Sequence, residues 1–329
     1  MGAHLSRLDN ALLDGFQRNF PLLPRPFAAI AQAVGSDEAA VIERLRSLKS
    51  AGMITRVGAT VRPNTVGVST LAALSVPLGQ IEAVAEVVNN EPGVNHSYLR
   101  EHAWNLWFVA TAPECHSLTA SLERIEAATG LPVLDLPLRR TFNIDLGFSL
   151  NGSKSRTPIA KPVDLSALTQ DDRPIVQALS EGLGLVARPF GALADRLNRT
   201  ETDVIARIKA LSNAGILTRI GVIVRHRAIG WRANAMVVWD VPDDRIVTAG
   251  NALAKHPGVT LCYERPRVPR IWDFPLFSMI HGQSRADALD VLLGAVTLPE
   301  LSGCAHQVLF SQRCFKQKGA LLQHKEAVA

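Results

Sequence analysis

The sequence predicts an α+β fold built as a tandem repeat, each copy a winged helix-turn-helix followed by a ferredoxin-like sandwich of β-α-β-β-α-β order. Three observations predict it. Arg25-Pro26-Phe27 recurs as Arg188-Pro189-Phe190, an offset of 188 − 25 = 163, and Ala51-Gly52-Met53-Ile54-Thr55-Arg56-Val57-Gly58 returns at the same offset as Ala214-Gly215-Ile216-Leu217-Thr218-Arg219-Ile220-Gly221. Each copy opens on three helical segments that run into a β-rich stretch. Downstream of that stretch, β runs and helical runs alternate in the same order twice.

The helices announce themselves by their caps. Thr169-x-x-Asp172 and Thr200-x-x-Asp203 place a hydroxyl at the cap and a carboxylate three residues on, and Ser36-Asp37-Glu38 does the same work in the first copy. The third helix of each copy carries an apolar stripe, Val41, Leu45 and Leu48 against Val204, Ile208 and Leu211. Both stop at Ala-Gly, where glycine can take a left-handed cap. Ile54 to Val61 and Leu217 to Val224 then read as wings. Beyond the wings, the first copy shows 70–76 (β), 81–89 (α), 96–99 (β), 105–111 (β), 117–129 (α) and 133–140 (β). The second shows 234–241 (β), 245–255 (α), 260–263 (β), 274–281 (β), 285–293 (α) and 306–310 (β). Arg140-Thr141-Phe142 and Arg313-Cys314-Phe315 close the copies on what reads as the same last strand.

The expected division is a winged helix over 1–65, a ferredoxin-like domain over 66–150, a linker over 151–165, a second winged helix over 166–229 and a second ferredoxin-like domain over 230–329. The linker is read from Asn151-Gly152-Ser153-Lys154-Ser155-Arg156-Thr157-Pro158 and Lys161-Pro162, a polar run with no periodicity. The two sheets are expected to pack on each other as a pseudo-dimer.

With 47% hydrophobic and 20% charged residues in 329, the chain is an ordinary globular protein of more than one domain. No run of about 18 apolar residues appears, and Arg7, Asp9, Asp14 and Arg18 occupy the segment where a signal peptide needs an apolar core, so no membrane partner and a cytoplasmic location are expected. The four cysteines, Cys115, Cys262, Cys304 and Cys314, form no CxxC pair, and Cys304-Ala305-His306 has no partner at metal-binding spacing; neither disulfides nor a metal site is expected. A net charge of +5 favours an anionic partner, either DNA or a polycarboxylate.

Asn95-His96-x-Tyr98-x-Arg100-Glu101-His102-x-Trp104-Asn105-Leu106-Trp107-Phe108 and, in the second copy, Arg225-His226-Arg227-x-x-Gly230-Trp231-x-Ala233-Asn234 through Pro242 carry a resemblance. The domain order resembles the Lrp/AsnC family, with its effector-type sandwich, over nearly all of both copies. The two motifs resemble the siroheme decarboxylases of haem d1 biosynthesis, in the form that fuses two related halves. The second copy departs from the pattern, with Thr260-Leu261-Cys262-Tyr263 where the first has Asn95-His96-Ser97-Tyr98. The resemblance implies loss of carbon dioxide from two acetates of siroheme to give 12,18-didecarboxysiroheme, and siroheme as the partner.

That chemistry has three requirements. Carboxylates that remain must be clamped, for which Arg56, Arg62, Arg219, Arg225 and Arg227, on or just after the wings, are candidates. The reacting carboxylate must lose its hydration while the macrocycle takes the electron pair, so no added cofactor is expected. The new carbon must then be protonated, and histidine is the natural donor at neutral pH. His96, Arg100 and His102 are the catalytic candidates, on or beside the loop between the middle strands of the first sandwich. Tyr98, Trp104, His226 and His281 are expected to contact substrate.

A DNA-binding regulator that senses a small molecule is the competing reading, since the fold alone hosts many functions. The third helices mix Arg44, Arg46, Lys49, Arg207 and Lys209 with Glu38, Glu43, Glu201 and Asp203, a weak pattern for neutralising phosphates, so DNA binding is not expected. A homodimer of the fused chain is the expected assembly.

Overall fold

The computed structural model describes residues 5–144 and 162–323; the linker residues 151–161 lie outside them. The first copy contains α1 (Arg7–Gly15), α2 (Pro26–Val34), α3 (Glu38–Ser50), β1 (Ile54–Val61), β2 (Val68–Leu74), α4 (Ile81–Asn90), β3 (Val94–Arg100), β4 (Leu106–Ala112), α5 (Cys115–Thr129), β5 (Leu134–Pro137) and β6 (Arg140–Ile144). The second contains α6 (Arg173–Glu181), α7 (Pro189–Arg196), α8 (Glu201–Asn213), β7 (Leu217–Val224), β8 (Ala233–Asp240), α9 (Ile246–Lys255), β9 (Val259–Glu264), β10 (Leu276–Gly282), α10 (Arg285–Val296) and β11 (Ala305–Gln317).

The caps form as the sequence implies. Thr200 accepts from the Asp203 backbone N–H, Thr169 and Asp172 make a reciprocal capping box, and Gly52 and Gly215 stop α3 and α8 at φ +71° each. In the first copy the capping oxygen is that of Asp37, which accepts from Ala40 N–H.

The wings differ from expectation. Each copy supplies one wing strand, and the two strands pair with each other, β1 antiparallel to β7 with Gly58 opposite Gly221. The two winged helices therefore share one core: Leu12, Phe27, Leu45 and Leu48 are buried in the same cluster as Leu179, Phe190, Ile208 and Leu211, and Phe20 meets both Phe27 and Phe190 edge-on. Each such side chain contributes about 1.5–3 kcal/mol of burial. Helix backbone rides directly on the ribbon. A Cβ on Gly58 would sit 2.3 Å from the Leu179 carbonyl oxygen, and one on Gly221 2.4 Å from that of Phe16, so the close approach requires glycine at both positions.

Helices α4 and α5 cover the outer face of the first sheet through Val84, Val88, Leu122 and Ile125, and α9 and α10 cover the second through Leu253, Val291 and Ala295. The two expected sheets are halves of one nine-stranded sheet joined through β11, and their inner faces meet as a pseudo-dimer: Ala73, Trp107 and Leu136 of one copy pack with Met236, Phe277 and Leu309 of the other. The closing strands cross between copies. Ala305–Phe310 of β11 pairs with β8 of its own copy and 311–317 with β3 of the other, which is why the strand runs well past 310. The single closing strand read over 133–140 is two: β5 stays on β2, and β6 crosses to β9. No helix among the described residues is long and apolar enough to cross a membrane.

Candidate functional site

Beneath the β1–β7 ribbon, the inner faces of the two sheets part to leave a cavity of about 580 Å³ lined by both copies. Strand β3 aims three polar side chains into it. In a strand, residues two apart share a face, so His96, Tyr98 and Arg100 project together, while Ser97 turns to Asn89 on the helix side. A bulge in the pairing of β3 with β4, between Val94 and His96, sets where this face begins.

Arg100 is 5% exposed. Its Nη1 donates to Asn234 Oδ1 and to the Leu309 carbonyl, at 3.1 Å each, its Nε has no partner among the described residues, and its guanidinium lies 5.4 Å from the Tyr98 ring centre. Burial pulls its pKa down to about 10, and Tyr98 works the other way, so it remains a cation at neutral pH. Burial and Cys314 hold the Tyr98 hydroxyl above its ordinary range, so it stays a neutral phenol.

His96 Nδ1 lies 2.7 Å from Asn95 Oδ1. An amide oxygen only accepts, so Nδ1 carries the proton. Burial, then the nearby Arg56, then His226 lower its pKa to about 4. From the second copy come His226 and His281, their rings edge to face at 4.9 Å. Burial, Arg227 and Arg100 bring His226 to about 4, and burial with His226 and the same arginines holds His281 well below its ordinary value. The ligand-free cavity thus holds three neutral imidazoles among cations.

Arg56 on β1, Arg62 just after it and Arg219 on β7 also line the cavity. Burial lowers Arg56 to about 10 and moves Arg62 the same way, and Arg56 Nε has no partner among the described residues. The other sequence candidates sit elsewhere. Arg225 is exposed, lies beside Gly52 and does not line the cavity. Arg227 does not line the cavity; it donates to the Ser311 carbonyl and hydroxyl and acts on the site through its charge. His102 and Trp104 are also outside, because β3 ends at Arg100 and the turn after it leaves the cavity. His102 Nδ1 accepts from the Trp104 N–H, its Nε2 faces Gln307 Oε1 at 2.8 Å, and its ring meets Trp272 edge-on. His96 and His102, expected on or beside one loop, are thus divided between the strand and the turn that follows it.

The structure adds residues that were not singled out. Tyr263 on β9 and Arg265 just after it line the cavity and repeat Tyr98 and Arg100 at an offset of 263 − 98 = 165, down to a guanidinium 5.6 Å from the tyrosine ring centre. Arg265 is 8% exposed, donates to the Leu136 carbonyl and is lowered to about 10 by burial. The recurrence of Tyr-x-Arg was a legible signal. Asn234 and Thr260, which bracket His281, carried none of their own.

The repeat relates the two ends of the cavity. Strand β10 follows β4 at an offset of 276 − 106 = 170, so His281 corresponds to Thr111; the 165 offset brings His96 onto Leu261, and the 163 offset brings His226 onto Pro63. None of the three imidazoles recurs at its equivalent position, whereas the tyrosine–arginine pair does.

Comparison with known proteins adds to this geometry. The model described as the siroheme decarboxylase NirDL-like HTH domain matches residues 9–54 and 172–217, and the AsnC-like ligand binding domain matches 65–143 and 228–316. The chain is 59% identical to the siroheme decarboxylase NirDL subunit of Paracoccus denitrificans (strain Pd 1222), over 96% of this chain and 97% of that protein. It is 32% identical to the siroheme decarboxylase of Hydrogenobacter thermophilus (strain DSM 6534 / IAM 12695 / TK-6), over 93% and 92%. The crystal structure of the siroheme decarboxylase NirDL in co-complex with an iron-uroporphyrin III analogue matches with a TM-score of 0.66 and 28% identity, over 97% of this chain and 95% of that one.

Proposed function

The chain belongs to the siroheme decarboxylase NirDL family, and from that premise we propose that its cavity takes siroheme and removes carbon dioxide from two acetate arms to give 12,18-didecarboxysiroheme. The observation that carries this reading is the cavity's charge. Arg56, Arg100 and Arg265 line it, and none makes a salt bridge to a carboxylate among the described residues. A buried cation is costly until it is paired, and a macrocycle rimmed with carboxylates supplies the missing counter-ions.

Arg56, Arg62, Arg219 and Arg265 hold the carboxylates that stay, and Arg100 stands beside the imidazoles where an arm reacts. There the C–C bond to the carboxylate breaks, the electron pair passes to the methylene carbon in conjugation with the macrocycle, and carbon dioxide leaves. One proton then converts that carbon to a methyl group. His96 and His226 are the donors in this scheme. A carboxylate bound beside an imidazole raises its proton affinity, which returns groups held near 4 toward the range of a working acid. The macrocycle is its own electron sink, so the scheme needs no further cofactor.

Two features favour this reading over a DNA reader. The wings are spent on each other, and the third-helix arginines are spent on the protein: Arg44 on Asp9, and Arg207 on Asp172 at the same places in the repeat. A homodimer is the assembly this reading carries. On the outer helices of the second sandwich Val247, Leu289 and Leu293 are exposed, where the first copy has Glu82, Thr119 and Glu123.

Anaerobic incubation of the purified protein with siroheme, followed by liquid chromatography with mass detection, tests the function. Successive losses of one and two carbon dioxide units are expected. Siroheme that binds and returns unchanged would overturn the reading.

A further inference from the structure

His281 is held from both sides by a chain of hydrogen bonds whose direction is fixed at each end. Arg100 Nη1 can only donate, so at 3.1 Å Asn234 must present its oxygen to it. The amide nitrogen of Asn234 is then the atom 2.7 Å from His281 Nε2, and that ring nitrogen must accept. At the other end, Thr260 Oγ1 is 3.1 Å from the Met279 carbonyl, which can only accept, so the hydroxyl proton points there. Its oxygen therefore accepts from His281 Nδ1 at 2.8 Å. Read from either end, the chain specifies one tautomer. The ring is 3% exposed, and the charged or titratable groups acting on it, His226, Arg100 and Arg227, all disfavour a second positive charge.

His96 stands in contrast. Its Nδ1–H is taken by Asn95, and its Nε2 makes no hydrogen bond to protein among the described residues, so that nitrogen can receive and give a proton in the cavity. Protonating His281 Nε2 would set an N–H against the Asn234 amide N–H; turning that amide over would set its NH₂ against Arg100.

We infer that Asn234 and Thr260 are positioning residues that lock His281 as the neutral Nδ1–H imidazole, so that His281 braces His226 and supplies neither of the two protons. The inference rests on the decarboxylase reading for the word "proton", while the locked tautomer stands on geometry alone. The repeat-equivalent positions are Ser69, Asn95 and Thr111; there Asn95 donates to Thr111 and its oxygen faces His96, while Ser69 bonds Asn64, so among the described residues no chain runs through all three.

The test is the long-range ¹H–¹⁵N spectrum of ¹⁵N-histidine-labelled full-length protein, ligand-free and with metal-free uroporphyrin III, the His281 signals being assigned by subtraction with His281→Gln. Wild type and Thr260→Ser are expected to show the neutral Nδ1–H pattern from pH 8 to 5.5. Thr260→Val is expected to show a mixture of tautomers, and Asn234→Asp, which places a carboxylate on Nε2, an imidazolium at neutral pH. In turnover, Thr260→Val and His281→Gln should lower kcat about tenfold with KM within threefold, against at least 100-fold for His96→Gln. An Nε2–H or imidazolium pattern in wild type would overturn the inference, and so would a His281→Gln loss equal to that of His96→Gln. Failure of siroheme to react would sink the decarboxylase reading and leave the spectral result to stand or fall separately.

Discussion

The two ends of the cavity occupy equivalent places in a repeated fold, yet they have diverged in one chemical respect. His96, His226 and His281 line the cavity, and the positions equivalent to them by the repeat carry Leu261, Pro63 and Thr111. Both copies keep a tyrosine and a buried arginine two residues apart at the end of β3 and of β9. Under the proposed function, the difference means that the fused chain holds carboxylates with both tyrosine–arginine pairs and moves protons with one set of imidazoles.

Removing a proton donor should break the comparison most severely. His226→Gln is expected to lower kcat by about 100-fold to 10,000-fold, whereas Thr111→Val at the equivalent position should stay within threefold; steady-state assays on siroheme read both. Acid should reveal the same asymmetry without substrate. His96 and His226 sit near 4 in the folded chain against 6.5 when unperturbed, so between those values the unfolded state binds more protons, and stability falls as pH drops from 6.5 toward 4. Each imidazole accounts for up to about 3 kcal/mol of that loss. Denaturant titrations of the ligand-free protein at several pH values should show it, and His96→Gln should flatten the slope.

A smaller effect is expected where the copies have not diverged. Gly58→Ala forces a Cβ against the backbone of α6 and Gly221→Ala one against the turn that follows α1, and each should cost about 1–3 kcal/mol, seen as a lower denaturation midpoint for both. His102→Ala should change least, with kcat within threefold, because its hydrogen bonds join a surface turn to Gln307 outside the cavity.

Much of this was legible in the chain. The repeat, the capping residues and the apolar stripes identified the fold because they are local signals: Thr200 to Asp203 spans one helical turn, and Val41, Leu45 and Leu48 share one face. What escaped was non-local. Nothing near Ile54 says that β1 will pair with β7 instead of forming its own hairpin, and nothing near Phe310 says that β11 will continue onto β3. The site followed the same division. His96, Tyr98 and Arg100 at alternate positions of one strand were readable, while His102 was joined to them because the end of β3 was not. Arg265 was readable through its repeat partner, but Asn234 acquires its role only from where Arg100 and His281 arrive in space.

The most direct measurement of the central claim is the kcat and KM of His96→Gln and Arg265→Gln on siroheme, side by side and anaerobically. If one end reacts and the other only holds, His96→Gln loses at least 100-fold in kcat with KM within threefold, and Arg265→Gln raises KM about tenfold or more with kcat nearly kept. Equal losses of kcat in the two variants would contradict the account, since both ends would then be taking part in the chemistry.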